Sequence, residues 1–235
     1  MARLHIALAF CIPVLALPVI AAGQPGQPPP PPPPGSSPGY GYGAYGMTVP
    51  GVHEHEGFFL RLGIGLGYLN MRTEFLDEDL DIKGPAGHLQ LALGGNLSPN
   101  LILFGQLFVN AINEPTVEFN GEEEDAEDLT ASIGAVGIGM AYYLPSNVYF
   151  SGTLAVSQLR LSDDSGDEEN DAETEAGPAF LAQIGKEWWV SENWGLGLAG
   201  QFILSSNEDD EDAEGEIDVT WTTLGFGLLF SATYD

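Results

Sequence analysis

The stretch LGFGLLFSATY, residues 224–234, carries the strongest structural signal in this chain. Bulky apolar side chains occupy its even positions as far as Phe230, whereas the odd positions are mostly small, with Gly225, Gly227 and Ser231 among them. Alternation with a period of two indicates a β-strand, because an amphipathic helix repeats its apolar residues every three to four positions. The pattern therefore predicts a strand with one bulky apolar face and one small-residue face.

Eight stretches of this kind follow one another, at 57–72, 85–96, 101–113, 130–144, 148–161, 177–190, 194–206 and 219–234. Short connections at 97–100, 145–147 and 191–193 contain the Ser, Asn and Pro residues typical of turns. Long, acid-rich connections at 73–84, 114–129, 162–176 and 207–218 alternate strictly with them. This order predicts an antiparallel meander whose two ends differ.

The small-residue face is mostly Gly, Ala, Ser, Thr and Gln, with Phe104 and Phe108 as larger exceptions. Such a face suits the crowded interior of an eight-stranded barrel, and the bulky face then points outward into lipid. The alternative is a soluble, lipocalin-like barrel with the faces reversed. We favour the membrane barrel because aromatic residues cluster near the short turns, as in an interfacial girdle. The predicted girdle comprises Tyr142, Tyr143, Trp188, Trp189, Trp194 and Tyr234.

Composition excludes several classes of function. The 235 residues contain 6 Lys and Arg against 34 Asp and Glu, a formal net charge of −28. A nucleic-acid-binding protein needs a basic face to neutralise phosphates, so nucleic acid is not an expected partner. The single cysteine, Cys11, permits neither an internal disulfide bond nor a cysteine-rich zinc site.

The N-terminal quarter of the chain has a different composition. Residues 1–23 show the charged, apolar and small-residue order of a secretory signal peptide. Residues 24–56 are rich in Pro, Gly and Tyr and include the seven consecutive prolines of 28–34, which predict a disordered tether with a polyproline II segment. The tether is either a spacer or a contact to a cell-wall or periplasmic partner, and a metal site at His53 and His55 is a weaker reading. Residues 57–235 form the predicted barrel domain.

The stretch GKEWWVSENWGLG, residues 185–197, and the closing strand 224–234 resemble small eight-stranded bacterial outer-membrane β-barrels of the OmpA/OmpX type. This resemblance implies an all-β, eight-stranded antiparallel up-and-down transmembrane barrel in the bacterial outer membrane. Both termini would be periplasmic and the acidic loops extracellular. The implied partners are outer-membrane lipid, lipopolysaccharide and the barrel-assembly machinery. The chain departs from such barrels by ending in Asp235, because they end on an aromatic residue that the assembly machinery reads.

Polar residues also lie on the small-residue face of the strands, and they are predicted to fill the lumen. The predicted polar plug consists of Arg61, Gln90, Gln106, Gln183, Glu187 and Gln201. A buried charge pair between the first and sixth stretches, which lie across the barrel from each other, would block the lumen rather than open it.

Twenty-nine of the 34 acidic residues lie in the four long connections. They are either solvated, flexible loops or a weak sink for loosely bound Ca²⁺ or Mg²⁺, because hard carboxylate oxygens suit both ions. None of the loops has EF-hand spacing, so we predict no specific metal site and no cofactor. The predicted weak cation-binding residues are Glu122, Glu123, Glu124, Asp125, Asp163, Asp164, Asp167, Glu168, Glu169, Glu208, Asp209, Asp210, Glu211 and Asp212.

No motif sets a serine, a histidine and an acid together, although His88 and Ser157 share the lumen parity. We therefore predict no enzymatic activity and a structural or surface-interaction role. The alternatives are a narrow, cation-preferring pore and, less favoured, a membrane-embedded enzyme.

Overall fold

The computed structural model describes residues 57–75, 78–163, 172–208 and 219–234. The predicted signal peptide and tether lie outside these residues. Eleven strands are found in the described part of the chain: β1 Phe58–Phe75, β2 Glu78–Ser98, β3 Leu101–Asn113, β4 Thr116–Phe119, β5 Glu122–Asp125, β6 Leu129–Tyr143, β7 Val148–Asp163, β8 Ala172–Glu173, β9 Gly177–Trp189, β10 Trp194–Glu208 and β11 Thr220–Tyr234. No helix among these residues is both long and apolar enough to cross a bilayer.

Eight of these strands form a closed antiparallel barrel. Their order around the barrel is β1, β11, β10, β9, β7, β6, β3, β2, and β1 pairs with both β11 and β2. The prediction of an eight-stranded antiparallel barrel is therefore confirmed. The connections at 99–100, 144–147 and 190–193 lie at one end, which we call the short-turn end. The strand ends that the long connections join lie at the other, which we call the loop end.

The side chains alternate between the two faces of the barrel wall as predicted. Outward-pointing Leu66 and Leu228 are each 76% exposed, and other Leu, Ile, Val and Phe residues continue this belt around the barrel. Their strand neighbours point inward and are buried, as Leu229 and Ile203 show. A belt of this size is unusual on a soluble monomer but is what lipid requires of a barrel.

Glycines of the inward face make room for large lumen side chains. A Cβ atom at Gly185 would lie 2.5 Å from the ring of Tyr149, and one at Gly67 would lie 2.3 Å from Nε2 of His88. A Cβ atom at Gly227 would lie 2.7 Å from the same nitrogen. The small-residue parity thus reflects close packing inside a narrow barrel rather than empty space.

The predicted girdle is only partly correct. Tyr142, Trp188 and Trp194 are exposed on the outer face near the short turns. Tyr143 is fully buried in the lumen, so its assignment to the girdle is wrong. The reason is its parity, which Tyr143 shares with buried Ala141.

Three of the long connections that were predicted as loops contain strands, including the two-residue β8 within 162–176, which pairs with β7. β1 and β2 remain paired as far as Phe75 and Glu78, through most of 73–84. β4 and β5 form a hairpin within 114–129, and β4 pairs with β2. The hairpin turns at Asn120 and Gly121, whose φ angles are 52° and 85°. Asn-Gly is the preferred pair for such a tight turn, since both positions need positive φ.

Candidate functional site

The lumen near the short-turn end holds a buried ion pair. Nη2 of Arg61 on β1 lies 3.2 Å from Oε1 of Glu187 on β9, and each residue is 1% exposed. The Tyr143 hydroxyl on β6 accepts a hydrogen bond from Arg61 and donates one to the Glu187 carboxylate at 3.1 Å. Thr233 on β11 donates to Glu187 at 2.8 Å. Hydrogen bonds to both partners are what a buried ion pair needs to offset its desolvation.

Aromatic rings surround the guanidinium group of Arg61. Its Cζ atom lies 4.0 Å from the ring centroid of Tyr149, 5.1 Å from that of Phe59 and 5.8 Å from that of Tyr143. Rings at these distances attract the cation through their π faces. The layer therefore combines an ion pair, its hydrogen bonds and cation–π contacts drawn from five strands.

A second polar layer lies next to the first and consists mainly of glutamines. Nε2 of Gln183 donates to Oε1 of Gln90 at 2.6 Å and to Oε1 of Gln201 at 2.8 Å. Nε2 of Gln106 also donates to Oε1 of Gln90, at 2.8 Å, and the Thr153 hydroxyl donates to Oε1 of Gln106 at 2.6 Å. All five side chains are buried. The result is one connected network of side-chain hydrogen bonds.

The positions of these strands show that both layers cross the lumen. Gln90 lies on β2 and Gln183 on β9, which are four strands apart in the eight-stranded ring and therefore face each other. Arg61 on β1 reaches Glu187 on β9, three strands away. The six residues of the predicted plug therefore fall into two sets, the Arg61–Glu187 ion pair and the four hydrogen-bonded glutamines.

Other lumen contacts were not anticipated. Sequence reasoning missed Thr153 and Thr233, although their parity places both inward, and it misplaced Tyr143. Nearer the loop end, Nδ1 of His88 hydrogen-bonds to Oδ1 of Asn110.

The Ser157 hydroxyl donates to Oδ1 of Asn207 at 3.2 Å. His88 and Ser157 therefore have separate partners, and the described residues form no Ser–His pair. The absence of enzymatic activity stays a prediction.

An apolar layer closes the lumen towards the loop end. Leu69, Ile112 and Ile133 are fully buried there, together with Met71 and Ile82. This layer separates the glutamine network from the water at the loop end, which strengthens the hydrogen bonds of the network.

Ion pairs organise the rim of the loop end. Arg72 binds Asp81 with two hydrogen bonds, Nε to Oδ1 at 2.7 Å and Nη2 to Oδ2 at 2.8 Å. These bonds hold the pKa of the Asp81 carboxyl below its usual value. Arg160 lies 3.4 Å from Glu173.

Lys83 links the β4–β5 hairpin to the barrel. Its Nζ donates to Glu118 at 2.5 Å and to Glu123 at 2.7 Å, and these hydrogen bonds raise the pKa of Lys83. Lys83 thus offsets part of the negative charge of the hairpin.

The predicted cation-binding residues are only partly described. Glu122–Asp125 form β5 and are exposed, and within them Glu123 binds Lys83 and Asp125 accepts a hydrogen bond from Thr116. Asp163 ends β7 and Glu208 ends β10. The remaining acids, at 164, 167–169 and 209–212, lie outside the described residues. Within the described ranges, no group of three or more His, Cys, Asp or Glu side chains could hold a metal ion.

Comparisons with known proteins find similarity in structure. No protein-family model and no curated protein sequence matches the chain. Ail, the attachment invasion locus protein of Yersinia pestis, is 13% identical over 75% of this chain and 99% of its own, with a TM-score of 0.36. The outer membrane protein OprG of Pseudomonas aeruginosa is 11% identical over 77% and 97%, with a TM-score of 0.43. The outer membrane protein AlkL is 16% identical over 75% and 90%, with a TM-score of 0.40.

Proposed function

We propose that this chain is a bacterial outer-membrane barrel with a blocked lumen, and that its role is structural or one of surface interaction through its loop end. The observation that carries the proposal is the pair of polar layers whose side chains meet across the lumen. A transport protein would need a continuous path between the same strands.

The belt of exposed apolar side chains supports a position in a membrane. Burying apolar surface stabilises by about 25 cal/mol per Å². In the isolated chain the belt side chains stay exposed, so this free energy is gained only when lipid covers them. The exposed aromatic side chains Tyr142, Trp188 and Trp194 suit the interface at the short-turn end. Lys186 fits the same level, because its Nζ donates to the Ser146 carbonyl of a short turn at 2.6 Å.

Orientation is the next part of the proposal. Residues 1–23 act as a signal peptide and 24–56 as a periplasmic spacer, so the short-turn end faces the periplasm and the acidic loop end faces outward. Lipopolysaccharide and divalent cations at the cell surface are then the expected neighbours of the loop end, and the assembly machinery is the expected transient partner.

Surface labelling tests this orientation. Glu123→Cys lies on the exposed hairpin, and Ser146→Cys lies in a short turn. A membrane-impermeant maleimide added to intact cells should label the first variant and should label the second only after the outer membrane is opened. If only the Ser146→Cys variant were labelled in intact cells, the orientation would be the opposite of the one proposed.

A narrow, cation-preferring pore is the second candidate, and the acidic loop end favours it, because negative charge at a mouth concentrates cations. Planar-bilayer recording distinguishes the two. The blocked barrel should give no steady conductance. Removing the cross-lumen glutamine contact with Gln90→Ala and Gln183→Ala together should still give none, because the ion-pair layer and the apolar layer remain in place. Gln158→Ala, the same substitution on the outer face, serves as the control. A steady, cation-selective conductance in the unaltered protein would favour the pore.

A further inference from the structure

Lys186 is a basic residue on the lipid-facing side of the barrel wall, near the short-turn end. It lies on β9 between Ile184 and Trp188, which point outward on the same face and are about half exposed. Its partners on the neighbouring strands are Val148 on β7 and Leu198 on β10. The methylene stem of Lys186 therefore starts among the apolar side chains of the belt.

The ammonium group of Lys186 is held in a defined position. Its Nζ donates to the carbonyl oxygen of Ser146, in the short connection before β7, at 2.6 Å. The same nitrogen lies 5.7 Å from the ring centroid of Trp188, within the range of a cation–π contact. The side chain thus bends out of the belt towards the short-turn end, as a lysine does when its charge must leave hydrocarbon. An ammonium group has three N–H donors, so the bond to Ser146 leaves donors for a further acceptor.

The described part of the chain supplies no counter-ion for this ammonium group. Four of the five basic residues that the structure describes lie within ion-pair distance of a carboxylate, namely Arg61, Arg72, Lys83 and Arg160. Lys186 forms no ion pair with any described residue. Its sequence neighbour Glu187 points into the lumen and binds Arg61. In a chain with a formal charge of −28, a cation without a carboxylate partner is unexpected from composition, so its location matters.

We propose that Lys186 binds the phosphate group of a phospholipid in the leaflet that surrounds the short-turn end. An ammonium group binds phosphate as a point charge through charge-assisted hydrogen bonds. The acyl chains of the lipid then lie along the belt beside Leu198, and the Trp188 ring lies at the level of the headgroup. An anionic headgroup is favoured over a choline headgroup, which carries its own positive charge. This inference rests on the proposed position of the barrel in a membrane.

The chain has two lysines, which permits a direct test. Lys83 is the internal control, because it lies at the loop end and binds Glu118 and Glu123. The full chain, labelled with ¹⁵Nζ-lysine, is reconstituted in vesicles of phosphatidylethanolamine and phosphatidylglycerol in phosphate-free buffer, so that all phosphorus belongs to lipid. A charge-assisted hydrogen bond of about 2.7–2.9 Å from nitrogen to oxygen places phosphorus within about 4 Å of Nζ. Solid-state ¹⁵N–³¹P dipolar dephasing should therefore show a close phosphorus for Lys186 and none for Lys83.

Lipid preference provides a second readout. Spin-labelled phosphatidylglycerol and phosphatidylcholine compete for the surface of the barrel, and electron paramagnetic resonance gives their relative association. Lys186→Gln should reduce the preference for phosphatidylglycerol about two- to fivefold, the range of an exposed ion pair. Lys83→Gln removes the same charge at the loop end and should change this preference much less.

Three results would each overturn the proposal. The first is a Lys186 signal without ³¹P dephasing, and the second is equal dephasing of the two lysines. The third is an equal loss of lipid preference in Lys186→Gln and Lys83→Gln. A ¹³C-methyl label on Met140, which is exposed on the belt, reports contact with lipid acyl chains independently. If Met140 contacts lipid but Lys186 does not dephase, the phosphate site alone is refuted. If Met140 shows no lipid contact, the proposed membrane position fails together with the site.

Discussion

The buried pair of Arg61 and Glu187 should be among the most strongly coupled pairs in the barrel. Two unit charges 3.2 Å apart attract each other by roughly 5 kcal/mol at an effective dielectric constant of about 20. Removing one partner of a buried pair typically costs about 3–5 kcal/mol, because the other charge is left without compensation. Arg61→Ala and Glu187→Ala should each cost this much. The double variant should cost little more than either, which gives a coupling of about 3 kcal/mol or more.

A double-mutant cycle measures this coupling. The assay is equilibrium urea unfolding of the barrel in lipid vesicles, followed by tryptophan fluorescence and by gel mobility before and after boiling. Arg160 and Glu173 provide the control cycle, since they form a pair at 3.4 Å whose side chains are about half exposed. Exposed pairs contribute about 0.2–1 kcal/mol. A coupling between Arg61 and Glu187 no larger than that of the control would refute the electrostatic account of the plug.

Four further predictions use other parts of the barrel. Leu198 is 58% exposed on the belt, so Leu198→Arg should destabilise the barrel in lipid by about 2–4 kcal/mol at the bilayer midplane, measured by the same unfolding assay. Gly67→Ala would bring a Cβ within 2.3 Å of the His88 side chain and should cost about 1–3 kcal/mol, whereas Gly134→Ala, with nothing within 4 Å, should be nearly neutral. The hydrogen bonds from Arg72 lower the pKa of Asp81 and stabilise the β1–β2 hairpin above the usual aspartate pKa, and protection of the hairpin amides from hydrogen exchange should fall as pH drops through the lowered value. Calorimetry should detect loose calcium binding with a dissociation constant of about 10⁻⁴–10⁻³ M that weakens in high salt, and no heat at millimolar calcium in low salt would contradict it.

The barrel itself was predictable because a period of two leaves little freedom. Once Leu228 points outward, Leu229 must point inward, and the same rule extends along every strand. The same rule predicts that Tyr143 points inward, because it shares the parity of Ala141. Tyr143 was wrongly assigned to the girdle because its position near a short turn was given more weight than its parity. The Asn120-Gly121 pair was likewise a readable hairpin signal inside a segment whose acidity suggested a loop.

The contacts within the lumen were less predictable. Parity identifies Gln90 and Gln183 as inward, but it does not give their heights along the barrel axis. Those heights depend on the stagger between strands, which is a property of the closed barrel as a whole. The hydrogen bond between these residues and the meeting of Arg61 with Glu187 both depend on that stagger. The sequence could therefore identify the residues of the plug but not which of them form hydrogen bonds or ion pairs with each other.

The order of the layers explains why a lumen with charged and amide groups can be stable. The ion pair lies near the short-turn end, where Tyr149 and Phe59 shield it, and the glutamine layer follows. The apolar layer containing Leu69 and Ile133 then separates both from the loop end. A polar group without a hydrogen-bond partner destabilises a dry interior more than a wet one, because no water can replace the partner. Where water is excluded, the stability of the network therefore depends on every one of its hydrogen bonds. Loss of the packing of this apolar layer would therefore admit water to the glutamines and weaken the whole hydrogen-bond network.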